Sequence, residues 1–160
     1  MKFAGEITVA ARRDAVFSAL ADVGVFASLI EGVHDLTPLD DKRFGAVLET
    51  KIAYMSFKFK VTVELTQVNP PHEIAAKIEG APLGLAGRLT AATVTRFIEA
   101  GDETRIQYEM DTTLTGKLGS IGQPVMKAKA KEMEKLFAKN LHARFDTTAA
   151  VTAGSLGGAA

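Results

Sequence analysis

The residue whose placement most invites chemistry is Lys129, an ammonium set among apolar neighbours. On a helical wheel it falls between Val125, Met133 and Leu136, with Asn140 and Arg144 on or near the same face. A cation in that setting pairs, snorkels to solvent along its stem, or meets a ligand. Snorkelling is the commoner meaning of the pattern. The functional meaning is a polar handle for a ligand's carbonyl oxygen at the mouth of an apolar pocket. A catalyst built on the same cavity would have to use Lys129, Tyr108 or Glu109 as acid or base. The histidines, His34, His72 and His142, sit far apart and beside no metal-ligand spacing. His72 follows Pro70-Pro71 in a turn and is expected in solvent. Cysteine is absent, which excludes disulfides, thiolate zinc sites, Cys-ligated iron–sulfur clusters and cysteine nucleophiles. There is no Gly-x-Ser-x-Gly elbow and no phosphate loop. Gly84-Leu85-Ala86-Gly87 opens a strand rather than a helix, so it is no dinucleotide fingerprint. No catalytic residue is assigned, and no covalent or metal cofactor is expected.

The chain around these residues is the size of one domain, 160 residues. A domain of this length buries roughly two-thirds of its unfolded surface and needs no staples. Nineteen Lys and Arg balance nineteen Asp and Glu, which argues against nucleic acid as a partner. The opening Met1-Lys2-Phe3-Ala4 carries no long apolar run, so a secretory signal is not expected. No stretch reads as a membrane span. With the lack of cysteine, these features point to the cytoplasm.

The elements that must position any site follow from periodicity. Phe3, Gly5, Ile7 and Val9 alternate with polar residues and read as a half-buried strand. Val16, Phe17 and Leu20 fall at helical spacing, and Asp22 can cap a second short helix carrying Val25, Phe26 and Leu29. From about residue 33 the pattern is strands, with turns at Asp40-Asp41-Lys42, Asn69-Pro70-Pro71, Ala81-Pro82-Leu83-Gly84 and Ala100-Gly101-Asp102. Phe57, Phe59, Val61, Val63 and Leu65 give the cleanest alternation. A strand is expected from Leu85 to Glu99, kinked at Gly87. Either a Ser120/Gln123 capping box or Gln123 followed by Pro124 starts a last helix that runs to about Phe145. Lys127, Lys131, Glu134, Lys135 and Lys139 are expected mostly on its outer side. This gives an α+β domain over residues 1–146 and a flexible Ala/Gly-rich tail over 147–160. Its sheet is curved, antiparallel and seven-stranded, wrapped around the long C-terminal helix, with two short helices after the first strand.

A twisted sheet gripping one helix leaves a wedge, a usual place for a ligand. Phe17, Phe26 and Leu29 would line it from the short helices. Phe57, Phe59, Leu85, Tyr108 and Met110 would line it from the strands. Leu118, Ile121, Val125, Met126, Lys129 and Met133 would line it from the final helix and its approach. Such Phe and Met residues are more often plain core than a binding box; the architecture is what raises the binding reading. Gly116, Gly119 and Gly122 precede the helix, where glycine permits a hinge, a lid or a positive-φ turn. From Lys117 to Arg144 the helix carries seven Lys and Arg against Glu132 and Glu134. That suits an anionic membrane, though a solvated face is the commoner meaning.

Four stretches together resemble the carbon monoxide dehydrogenase G-subunit family. They are Phe3-Ala4-Gly5-Glu6-Ile7 leading to Asp14–Asp22, Ile30-Glu31-Gly32-Val33, Gly84–Ala91, and Gly116-Lys117-Leu118-Gly119-Ser120-Ile121-Gly122. The last is the most specific. The resemblance spans roughly residues 2–145. Glu31 stands where the family usually has Pro, and Ala53-Tyr54 where it often has Gly-Pro. The resemblance implies the helix-grip fold of the START-like (polyketide cyclase/SRPBCC) superfamily. It also implies an accessory, non-catalytic protein of a molybdenum hydroxylase, binding a lipophilic molecule such as a quinone and touching the inner face of the cytoplasmic membrane peripherally. The rival expectations are a recruitment or assembly factor whose cavity is filled core, and a cyclase-like enzyme using the same cavity.

Overall fold

The computed structural model describes the backbone of residues 1–153 and the side chains of residues 1–145. Strand β1 (Lys2–Val9) is followed by helices α1 (Arg13–Ala21) and α2 (Val23–Ser28). Six strands follow: β2 (Val33–Pro38), β3 (Arg43–Ile52), β4 (Met55–Asn69), β5 (Glu73–Pro82), β6 (Gly87–Ala100) and β7 (Glu103–Gly116). A 3-10 turn (Lys117–Ile121) leads into α3 (Gln123–Ala153). The strands form one antiparallel sheet in the order β1-β7-β6-β5-β4-β3-β2. Neighbouring hairpins account for all pairings but one, in which the first strand returns to pair with the last, from Lys2↔Asp111 to Val9↔Thr104.

Alternation decides which face is concave. Phe57 and Phe59 are buried while Lys58 and Lys60 are exposed, as a strand packed on one side requires. The register slips between Leu65 and Gln67, a bulge that strict alternation does not announce. Local signals behave as their chemistry dictates. The Asp22 carboxylate accepts from the backbone N–H of Val25 at 3.1 Å and starts α2. Asp40 Oδ1 accepts from the N–H groups of Lys42 and Arg43 at 2.9 and 2.8 Å and closes the β2–β3 turn.

Two boundaries differ from expectation, and the start of the last helix follows the second of its two alternatives. Strand β6 starts at Gly87, not Leu85, because Gly84 and Gly87 both take positive φ and hold residues 84–86 in a turn. Ser120 forms no capping box: its hydroxyl donates to the Lys117 carbonyl at 2.6 Å, inside the 3-10 turn. Helix α3 instead begins at Gln123, directly after the positive-φ Gly122, with Pro124 in the first turn. It continues to Ala153, past the expected end near Phe145. Residues 154–160 of the expected tail lie outside the described residues.

The backbone of α3 approaches chiefly β1 and β3, toward the two sides of the concave face. Its polar anchors lie at the flanks. Asn140 donates to the Leu29 carbonyl at 2.9 Å beside α2, and the His142 ring meets the Thr8 carbonyl at 2.7 Å on β1. Apolar packing gathers at two ends. One cluster joins Ile7, Val9, Val16, Phe17, Leu20, Leu29, Phe97, Ile106 and Leu141. The other joins Ile52, Phe57, Phe59 and Leu118.

Candidate functional site

Between these two clusters the concave face is lined by small or half-covered side chains. Ala76, Gly80 and Ala91 are buried, and Ala46, Thr93 and Met110 are half-buried. Larger side chains at these positions would compete with α3 for the same span. From α3, Met133 and Leu136 are likewise half-buried.

Of the residues expected to bind a ligand, seven come together at the second cluster. Phe57, Phe59 and Leu118 are buried there, with Leu85, Ile121, Val125 and Met126 packed against them. The Phe57 and Phe59 rings stack at 5.6 Å. Phe17 and Leu29 fall in the other cluster. Phe26 is exposed at the surface, leaning on Phe137 with ring centroids 5.5 Å apart. Tyr108, Met110, Lys129 and Met133 belong to neither cluster and are half-buried.

Two polar features stand in or beside the wedge. The Thr112 hydroxyl is the first. Thr112 is 4% exposed, and its Oγ1 has no hydrogen-bond partner among the described residues. Its alternation on β7 places it between Met110 and Leu114 on the concave face, and Leu114 packs against the second cluster. A buried hydroxyl left unpaired is destabilising by roughly 1–3 kcal/mol, so a polar partner would relieve it. Composition and spacing carried no sign of Thr112; its place on the buried side of the β7 alternation was the available signal.

The second feature is a Tyr108–Glu134 hydrogen bond, in which the phenol donates to the carboxylate. Gly5 makes room for it: a Cβ there would collide with Glu134 Oε1 and with the Tyr108 hydroxyl. Gly5 and Tyr108 are direct cross-strand partners. This corrects the expectation that Glu134 faces outward. Glu134 precedes the fully buried Leu141 by two helical turns, so both turn toward the β1 flank. Burial first, then the bond to Glu134, pushes the Tyr108 pKa above that of a free phenol. The folded value therefore exceeds the unfolded one. The resulting stabilisation is fully present below about pH 10 and is lost as pH rises through the folded value. In Tyr108→Phe the alkaline fall of Tm should be less steep than in the parent protein; identical slopes would remove the pair from the stability of the fold.

Lys129 is only 12% exposed at its side chain, and its ammonium reaches Glu132 Oε2 at 2.6 Å one turn along α3. It is thus a covered stem with a paired head, which is the snorkelling geometry. His34 lies at the opposite side of the sheet, within 3.1 Å of Asp35 and hydrogen-bonded to Glu49, which raises its pKa. Among the described residues no cluster of His, Asp and Glu has metal-binding geometry. Two surface depressions occur elsewhere. One, about 480 Å³, is lined by Arg13, His72, Glu73, Arg96 and Glu99 among others; the second, about 410 Å³, by Asp40–Arg43 and Glu64. Their charged walls do not suit an apolar ligand, and neither includes a residue expected to bind one. No helix among the described residues is long and apolar enough to cross a membrane.

Comparison with known proteins agrees with this architecture. The profile of the carbon monoxide dehydrogenase G-subunit (CoxG) family matches residues 5–145. No curated protein matches the sequence. A conserved protein from Geobacillus kaustophilus superposes with a TM-score of 0.84 at 22% identity, covering 92% of this chain and 97% of that one. A START superfamily protein from Mycobacterium smegmatis gives 0.68 at 17% identity, covering 92% and 98%. The ZhuI aromatase/cyclase from Streptomyces sp. R1128 gives 0.66 at 14% identity, covering 91% and 93%. At such identities these likenesses establish the helix-grip fold of START-like proteins and leave function to be argued from the site.

Proposed function

The chain belongs to the carbon monoxide dehydrogenase G-subunit family, and on that premise we infer that it is an accessory, non-catalytic carrier. Its wedge takes up a lipophilic molecule such as a quinone. It serves a molybdenum hydroxylase of the carbon monoxide dehydrogenase type, in the cytoplasm at the inner face of the membrane. The observation that carries this reading is the orphaned Thr112 hydroxyl beside an apolar cluster. A quinone carbonyl accepts hydrogen bonds and donates none, so a lone buried hydroxyl among methyl and aromatic groups is a fitting partner. Phe57, Phe59, Leu118, Ile121, Val125 and Met126 supply the apolar wall, with Met110 and Met133 adapting to ligand shape.

A cyclase-like use is less well supported. Tyr108 already donates its hydrogen bond to Glu134, and its raised pKa keeps the phenol protonated at neutral pH. Lys129 is engaged by Glu132.

Organic extraction of the purified protein followed by mass spectrometry tests the carrier reading. A stoichiometric quinone or other isoprenoid lipid is the expected result. An empty extract, with no thermal stabilisation by added quinones, would move the assignment to a recruitment factor without ligand. Thr112→Val keeps the shape and removes the hydroxyl. It should weaken the added quinone roughly fivefold while leaving the protein at least as stable, because an unpaired buried group has gone. Lys129→Met should leave affinity unchanged if the lysine only snorkels; a fall of tenfold or more would make it the second polar contact.

A further inference from the structure

We propose that the end of the molecule formed by the β3–β4 hairpin tip, the 83–86 turn and the 3-10 turn is a docking surface for an anionic lipid bilayer. These segments are neighbours. The Leu83 N–H donates to the Lys58 carbonyl at 2.8 Å, and the Lys117 N–H to the Ala86 carbonyl at 3.0 Å. Three large apolar side chains project from this end into solvent: Tyr54 at 101% exposure, Met55 at 55% and Leu83 at 56%. A fully exposed aromatic on a hairpin tip has no folding role, whereas an aromatic with one apolar body and one polar tip suits the headgroup boundary of a membrane.

Charge supplies the second, independent observation. The stretches 50–60, 80–88 and 112–131 carry eight Lys and Arg and no Asp or Glu; two of the eight, Arg88 and Lys129, are bridged to Glu79 and Glu132 just outside them. The remainder of the chain is left with 11 basic against 19 acidic residues. The zero net charge therefore conceals an uneven distribution of charge along the chain. Lys51, Lys58, Lys117 and Lys127 are exposed, and none is held in an ion pair among the described residues. The N-terminus of α3, the positive pole of that helix, begins at the same end. Exposed apolar tips ringed by unpaired lysines are complementary to negatively charged headgroups over a hydrocarbon boundary. The surface also adjoins the cluster holding Leu118 and Val125, so docking would bring the apolar end of the wedge to the bilayer. The inference deepens the membrane location given in the proposed function and rests on the carrier reading for that last use; the surface itself is argued from exposure and charge.

Vesicle co-sedimentation of the full chain tests it. Binding is expected to mixed phosphatidylcholine/phosphatidylglycerol vesicles, weakening with salt, and not to pure phosphatidylcholine. Each lysine at an anionic surface is worth roughly fivefold, so Lys51→Glu with Lys58→Glu should lower partitioning by about 25-fold or more. Leu83→Ser should lower it about fivefold. The chain has no tryptophan, so Tyr54→Trp introduces a single reporter whose emission should shift to the blue on anionic vesicles only. No binding by the parent protein, or equal binding by the charge-reversed variant, overturns the proposal. If the charge-reversed variant instead loses a purified molybdenum hydroxylase while its vesicle binding is unchanged, the surface is a protein dock and the lipid assignment fails. Extraction of the same variant separates the two readings: retained quinone with lost vesicle binding supports both. Vesicle binding by a parent protein that yields no extractable lipid removes the carrier reading alone.

Discussion

Gly87→Ala is expected to lower stability by about 3–5 kcal/mol, among the largest single-residue effects in this fold. Two penalties combine. Gly87 sits at φ +143°, a region that L side chains rarely adopt, and a Cβ there would stand 2.6 Å from the Thr115 carbonyl oxygen and 3.3 Å from Leu118. The obstacle is backbone, so no rotamer change relieves it. Across the ladder the relation is mutual: Gly87 pairs with Gly116, whose own Cβ would lie 2.7 Å from the Gly87 Cα. The two glycines let β6 and β7 close together just where the chain leaves the sheet for the 3-10 turn. Denaturant unfolding measures the effect. A loss below about 1 kcal/mol would mean that the strands part cheaply and that the close approach is not a constraint.

The second large effect separates an open wedge from a filled core. Leu118 is 1% exposed and anchors the 3-10 turn in the second cluster. Leu118→Ala should be destabilising by about 3 kcal/mol, within the usual range for a buried leucine. Met133, half-covered on α3 and in neither cluster, should behave differently. If its side chain borders space, Met133→Ala should lower stability by less than about 1 kcal/mol while weakening an added quinone several-fold. If both variants fall by similar amounts, the middle of the wedge is core, and the recruitment reading gains at the expense of the carrier.

Much of the scaffold could be read from the chain because short-range physics decides it. The alternation from Phe57 to Leu65, the Asp22 cap and the Asp40 turn each depend on neighbours a few residues away. The order from β2 to β7 followed from turn after turn, whereas the return of β1 to β7 did not. The site was less legible because it depends on where distant elements lean. A helical wheel groups Lys129 with Val125 and Met133, and the structure does cover its stem, yet no wheel shows that Glu132 takes the charge. Glu134 was assigned to the outer face because a wheel ranks residues by polarity. Its inward turn needs Gly5 opposite, more than a hundred residues away in the chain. Thr112 was missed because threonine is ordinary in a strand; only the absence of a partner in three dimensions makes it notable. The boundaries that moved lie where glycine φ values, not hydrophobic pattern, end the regular structure.

The segregation of charge has a practical corollary at the bench. With a sequence pI near 6.8, the protein should hardly migrate in an electric field at neutral pH. A chromatographic resin, however, samples one face at a time rather than the sum. The same neutral molecule should therefore be retained at low ionic strength by a sulfonate matrix through its lysine-bearing end and by a quaternary amine matrix through the rest. It would also orient when immobilised on either support, presenting opposite ends to the mobile phase.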